Sequence, residues 1–328
     1  MSKDYADKLA SDLGTARLKP FGLGCAYLYG GRRKTHSIRL VHAALDAGIN
    51  YFDTARLYAE GESETVLGEA LKGRRSDVFI TSKCGIWPAK AGLASKVRDK
   101  AMTTARQAAP ALKRIVPAPK PRKPQFGMFA ANEIVASVET SLKALKSDHI
   151  DFLLLHECRA DHFVDSSVLE TLRSLQKAGK IGGFGSATQP DVTLQIEREG
   201  PDDAVMLQFK NDLLDRTAAD LKDSTRTRVA HSIFGAPFQD FVKWIQTLGV
   251  THPDIQDVGL GSENKRAWGG ALLAYAARQT GGGLALFSTS QPEQIATTIE
   301  RADSMKGERL DALTRLVANY QRDRLGSV

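Results

Sequence analysis

Eight times along the chain a short run of apolar or β-branched residues gives way to a segment of helical periodicity, and this alternation limits the fold more than any other feature. The strand-like runs fall at 21–25, 49–53, 77–82, 149–155, 180–185, 204–208, 228–231 and 284–287. Helical patterns occupy 35–47, 63–72, 132–146, 167–178, 190–198, 238–248, 264–279, 291–301 and 308–324, with a weaker unit before 228. Repeated strand-then-helix order demands parallel strands joined by right-handed crossovers. Eight units favour closure into a single (β/α)8 barrel, a TIM barrel of the α/β class, over an open doubly wound sheet. The 328 residues are therefore read as one domain, with a polar N-terminal arm over 1–17 and a loop over 88–130 inserted after the third strand.

The insertion is the anomaly. Between Pro88 and Pro124 there are ten basic residues, a single acid, Asp99, and six of the twelve prolines, a net of +9 within a chain of net +7. The rest of the chain is thus at −2, so the basic balance is local. Pro117 to Pro124 reads as an extended, semi-rigid strap. Its charge fits the attraction of anionic substrates towards the barrel mouth, contact with a neighbouring subunit, or a solvated insertion without partners. It lacks the interleaved aromatics of a nucleic-acid reader, so nucleic acid is an unlikely partner. No apolar run approaches the roughly 18–20 residues that cross a bilayer, and no membrane association is expected. Cys25, Cys84 and Cys158 form no CxxC pair and are odd in number, which suits a reducing cytoplasm and a role as small buried filler.

A barrel of this kind keeps its chemistry at the C-terminal ends of its strands. Polar residues there are Cys25, Asp53, Lys83, His156, Ser186, Gln208, His231 and Ser288. Asp53 with Tyr58, then Lys83, then His156 follow three consecutive strands. Each alone has an ordinary structural reading. Together they polarise a carbonyl: Lys83 as an ammonium that lowers the Tyr58 pKa, Asp53 holding Lys83 charged and oriented, and His156 donating to the substrate oxygen or relaying its proton. No HExxH motif, Cys/His cluster or Gly-x-Ser-x-Gly is present, and no metal is expected. Gly22-Leu-Gly24 and Gly281-Gly-Gly283 read as turn glycines.

The stretch Ala47-Gly-Ile-Asn-Tyr-Phe-Asp-Thr-Ala-Arg-Leu-Tyr58, followed by Gly61-Glu-Ser-Glu64 and Leu67-Gly68, resembles the first signature of the aldo-keto reductases. Ile80-Thr-Ser-Lys83 resembles their lysine motif and Asp151-Phe-Leu-Leu-Leu-His156 their histidine motif, and the likeness runs over roughly 18–303. The resemblance implies a barrel that binds an extended nicotinamide dinucleotide, and a catalytic tetrad of Asp53, Tyr58, Lys83 and His156. Tyr58 would be the general acid in carbonyl reduction and the base in alcohol oxidation. The implied activity is hydride transfer between the dinucleotide and the carbonyl or alcohol carbon of an aldehyde, ketone or sugar. The alternative is a non-catalytic, nicotinamide-binding regulatory or interaction protein on the same barrel.

The implied cofactor set is Asp53, Ser186, Gln208, His231, Ser232, Ser288, Thr289, Ser290, Gln294 and Thr298. It departs from the family pattern at four positions. Ala187 stands where the family has an Asn that binds the carboxamide, His231 stands where an aromatic stacks on the nicotinamide, and Ser288 and Gln294 replace basic residues. A 2′-phosphate dianion is best met by a guanidinium or ammonium, so the last change weakens the case for NADP(H) against NAD(H) and leaves both open. The hydroxyls of Ser288, Thr289 and Ser290 remain as phosphate donors at a helix start. Tyr27, Tyr29 and Trp87 are expected to wall the substrate pocket, with Phe126 and Phe129 joining from the insertion and Arg32 and Arg33 available to an anionic group. The partner is a small carbonyl or sugar, with a monomer or homo-oligomer equally compatible.

Overall fold

Parallel strands close into an eight-membered ring in chain order, β1 beside β2 and so round to β8, which pairs back with β1. The computed structural model describes residues 18–89, 101–102, 123–249, 251–261 and 265–326. The arm at 1–17 and all but a few residues of the basic strap at 88–124 lie outside the described residues. The strands are β1 Phe21–Gly24, β2 Tyr51–Asp53, β3 Phe79–Cys84, β4 Ile150–His156, β5 Ile181–Thr188, β6 Met206–Lys210, β7 Thr227–His231 and β8 Leu284–Phe287. Around them run α1 Lys34–Asp46, α2 Ser63–Ala70, α3 Ala131–Leu145, α4 Ala160–Val164, α5 Ser166–Lys177 and α6 Pro190–Glu199. The circuit ends with α7 Thr217–Asp220, α8 Ala236–Leu248, α9 Pro253–Val258, α10 Lys265–Gln279, α11 Ile295–Ser304 and α12 Glu308–Leu325.

Two apolar clusters follow from the pleat, because successive strand residues face opposite sides. The inner one fills the barrel with Tyr51, Phe79, Phe152, Leu154, Met206 and Leu284, joined by Leu18. The outer one lies between strands and helices and includes Phe52, Ile80, Leu153, Leu155, Phe184 and Leu207. Amphipathic helices turn an apolar stripe onto that outer layer; α5, for example, buries Val168, Leu169, Leu172 and Leu175, whereas α10 is buried at nearly every position from Ala267 to Ala277. Its start is fixed by Asp165, whose carboxylate accepts from the amides of Ser167 at 2.9 Å and Val168 at 3.1 Å.

Several boundaries differ from expectation for stated reasons. β3 and β4 run on through Lys83 and His156, because Lys83 and Cys84 keep their register with Leu154 and Leu155, and His156 keeps its own with Ala187. Helix α3 begins before Asn132; Glu133 reaches back to accept from the Ala130 amide at 3.0 Å, closing the N-terminus one residue earlier. Pro292–Gln294 forms a 3-10 turn, which moves the start of α11 beyond it.

Candidate active site

The second strand carries Asp53 to the barrel mouth, and the loop that leaves it brings Tyr58 back over the opening. Lys83 is 2 % exposed, a charge that stays inside only because it is paired and hydrogen-bonded. Its Nζ donates to both Asp53 carboxylate oxygens at 2.8 and 2.7 Å, to the Thr54 carbonyl at 3.0 Å and to the Tyr58 hydroxyl at 3.1 Å. Behind this ammonium, Thr54 Oγ1 meets Ser63 Oγ at 2.9 Å, and Ser63 donates to the Cys25 carbonyl at 2.8 Å, which locks the β2 loop onto α2. His156 closes the group edge-on to Tyr58, with ring centroids 6.2 Å apart. The four residues expected to act together are therefore gathered in one contiguous cluster.

The electrostatics differ from the expectation at one point. Burial pushes the Tyr58 phenol above its ordinary value, and the opposing pull of Lys83 does not overcome it. Tyr58 is thus a protonated acid at neutral pH. Burial alone would lower the Lys83 pKa, but the Asp53 carboxylate and the Tyr58 oxygen reverse that, and the net direction is upward. His156 is pushed down to about 3 by burial, with Lys83 and His231 adding to the effect, so its imidazole is neutral and offers an N–H. His231 is likewise lowered, to about 4, chiefly by burial.

On the opposite side of the mouth Gln208 donates to Asp53 Oδ1 at 2.7 Å. That bond uses its amide nitrogen and leaves its carbonyl oxygen to accept from a carboxamide. Ser186 does not stand beside it. Ser186 shares its register with Leu155 and Leu207 of the outer layer, whereas Ala187, aligned with His156 and Gln208, faces the interior. The buried Ser186 hydroxyl has no hydrogen-bond partner among the described residues. The carboxamide role expected of it is not carried forward, because strand parity sends the side chain the wrong way. His231 Nδ1 lies 2.8 Å from Ser232 Oγ, and Ser232 holds a left-handed φ of 62°.

The β8 end supplies the rest of the candidate cofactor groove. Ser288 donates to the Gly24 carbonyl at 2.9 Å; Gly24 leaves room for it, since a Cβ there would sit 2.5 Å from that hydroxyl. Thr289 Oγ1 accepts from the Gln291 amide at 3.1 Å, and Ser290 offers its carbonyl to His36 at 2.8 Å. Gln294 bonds Gln291, and Thr298 lies half-buried on α11. These neutral groups, with a free acceptor on Gln208 and the flat face of His231, suit a carboxamide-bearing ring and a phosphate chain in chemical type.

Around the rim, Tyr27 is exposed, Tyr29 and Trp87 are half-buried, and Phe126 is exposed. Phe129 is core instead of wall, packed against His162 and filling the space above Gly85. The guanidinium of Arg33 covers the Tyr29 ring at 5.1 Å, and that of Arg56, which the sequence reading passed over, covers Trp87 at 5.4 Å. All three cysteines are free and buried, and burial raises each thiol, so none is an activated thiolate. Among the described residues no cluster of three or more metal-ligating side chains occurs, and no helix is long and apolar enough to cross a membrane. A separate cleft of about 570 Å³ between α7, α10 and α12 includes paired charges in its lining, as in Arg315 with Asp254 and Asp212 with Lys210.

Comparison with known proteins adds to this geometry. The model of the Aldo/keto reductase family matches residues 20–230, well over half of the chain. An uncharacterized oxidoreductase YqkF of Bacillus subtilis is 28% identical over 208 residues, 62% of this chain and 56% of that protein. The NADH-specific methylglyoxal reductase of Escherichia coli is 30% identical over 174 residues, 52% of this chain and 46% of its own length. The chain therefore spans about half the length of the curated relatives it matches. Among solved structures, an aldo-keto reductase from Klebsiella pneumoniae in complex with NADPH superposes with a TM-score of 0.60 at 20% identity, covering 93% of this chain and 92% of that one. At that identity the likeness concerns the fold.

Proposed function

Because the chain belongs to the aldo/keto reductase family, we propose that it is a nicotinamide-dependent oxidoreductase that interconverts a carbonyl and an alcohol, acting on an aldehyde, ketone or sugar. One observation carries this reading: the Tyr58 hydroxyl lies 3.1 Å from a buried, carboxylate-paired ammonium. A protein that merely bound a dinucleotide would gain nothing from this pair.

When bound, the nicotinamide supplies or accepts the hydride. Tyr58, protonated at neutral pH, gives its proton to the carbonyl oxygen as negative charge develops there. The Lys83 ammonium then stabilises the resulting phenolate, and Asp53 keeps Lys83 charged and directed between Thr54 and Tyr58. His156, neutral, orients the same oxygen through its N–H. Gln208 and His231 would hold the carboxamide and the ring, and Ser288, Thr289, Ser290 and Gln294 the phosphate end. Both NADP(H) and NAD(H) are compatible with this set. The relatives' names and complexes cover both, one being NADH-specific and one holding NADPH. The ten basic residues between Pro88 and Pro124, which follow the third strand in the sequence, support an anionic substrate.

Titration of NADH and NADPH by nicotinamide fluorescence, followed by an aldehyde and aldose screen with the tighter one, tests the reading. Tyr58→Phe should lower kcat by about 100-fold or more while leaving the cofactor Kd within about 3-fold, because the phenol acts only on the developing alkoxide. Turnover near wild type in that variant, or tight dinucleotide binding with no carbonyl reduced by the native enzyme, sinks it.

A further inference from the structure

Arginines that build this fold have their donors used. Arg75 bonds Asp151 at 2.7 Å, Ser147 at 2.8 Å and two backbone carbonyls; Arg226 bonds Glu197 and four carbonyls; Arg228 bonds two. Arg56 is different. It is half-buried on the loop between Asp53 and Tyr58, and among the described residues it forms no hydrogen bond and no ion pair. Among the described residues its guanidinium carbon lies over the Trp87 ring, 5.4 Å from the centroid. Stacking of this kind uses the face of the guanidinium and leaves the N–H edge unspent, the edge that matches a carboxylate or phosphate in paired hydrogen bonds.

The buried acid that acts on it, Glu64, does not fill that role. Glu64 spends its carboxyl on Ser82 at 2.6 Å and on Ser141, and burial favours its neutral form. Burial likewise works against the charge on Arg56, with Glu64 opposing only in part. A cation held half out of water without a counter-ion is costly unless something brings one. Trp87 itself is fixed by antiparallel backbone bonds with Gln125, at 2.9 and 3.0 Å. The residues that flank the basic stretch in sequence, Trp87 and Gln125, are thus paired at this contact.

We propose that Arg56, stacked on Trp87 two positions before Tyr58, is the anion-recognition residue of the substrate site and selects carbonyl compounds that carry a carboxylate or phosphate group. This rests on the oxidoreductase reading above and names the substrate class for the same mouth.

The test compares 4-carboxybenzaldehyde with its neutral ester, methyl 4-formylbenzoate, and glyceraldehyde 3-phosphate with glyceraldehyde, the two pairs separating carboxylate from phosphate. Arg56→Met should lower kcat/KM for the charged member of at least one pair by about 10–100-fold, through KM, and change the neutral member by less than about 3-fold. Arg56→Lys should recover part of the loss. Arg198→Met removes the same charge from an exposed site on α6 and should do neither. Equal losses for charged and neutral substrates, no loss at all, or the same selective loss in Arg198→Met overturns the proposal. A second readout needs no turnover: benzoate and inorganic phosphate should each be titrated against tryptophan fluorescence in the native protein and in Arg56→Met. A saturable change with either anion in the native protein, absent from the variant, supports the anion site even if no carbonyl is reduced. Absence of any saturable change in the native protein, together with no selective loss, refutes it.

Discussion

A phenol beside an ammonium is the smallest unit on which the chemistry depends, and its titration is set by what surrounds it. With the Tyr58 phenol pushed above its ordinary value by burial and His156 held down near 3, neither group changes charge between pH 5 and 8. Reduction should therefore show no histidine inflection across that range, whereas oxidation, which needs the Tyr58 phenolate, should rise as pH increases above it. An inflection near 6.5 in kcat for reduction, lost in His156→Gln, would show that the imidazole titrates during turnover. At this scale the barrel pattern made Asp53, Lys83 and His156 legible as strand-end groups, while joining Tyr58 to them as a tetrad rested on the resemblance to the family motifs. The sequence misled at Ser186, because a one-residue difference in strand parity decides between mouth and outer layer and no nearby residue type signals it. Arg56 went unremarked because an arginine in a loop is ordinary until its guanidinium is seen to form no hydrogen bond or ion pair among the described residues.

Between elements, backbone approach decides what a position tolerates. Gly68 on α2 lies against the C-terminal end of α3, where an added Cβ would fall 2.5 Å from the Leu145 carbonyl oxygen. In a free helix, alanine at such a site would be favoured over glycine by about 1 kcal/mol. Gly68→Ala is nonetheless expected to destabilise by about 1–3 kcal/mol through the forced helix shift. Gly269→Ala on α10, with nothing within 4 Å of its added Cβ, should stabilise by about 0.5–1 kcal/mol. Urea denaturation of the two variants measures both signs; stabilisation by Gly68→Ala refutes the close-contact account. The same contact explains why a glycine closes the first motif. Long elements were readable from periodicity, while α4, α7 and α9, of five, four and six residues, are too short to establish one.

For the molecule as a whole, chemistry and scaffold sit at opposite ends of the barrel. At the N-terminal end Arg75 bonds Asp151, Asp151 also accepts from the Ile80 amide at 2.8 Å, and His149 sits between Asp148 and Asp151. The hydrogen bond to Asp151 raises the His149 pKa, with Asp148 adding to it and burial opposing. A folded-state pKa above the unfolded value gives a stabilisation present below about pH 6.5 and lost as pH rises through the folded value. Tm should therefore contain a component that falls as pH rises above about 6.5 and disappears in His149→Gln, with kcat unaffected; an unchanged pH profile of Tm in that variant refutes it.

The bond from Gln208 to Asp53 has a further implication. The second and sixth strands stand on opposite sides of an eight-stranded ring, so this contact is a crossbeam over the full width of the opening. Below it the bore is packed with aromatic and aliphatic side chains. Redesign for a bulkier substrate must therefore enlarge the vestibule outward, at the aromatic loops of the rim, since deepening the chamber would sever the beam that holds Asp53, the carboxylate that keeps Lys83 charged.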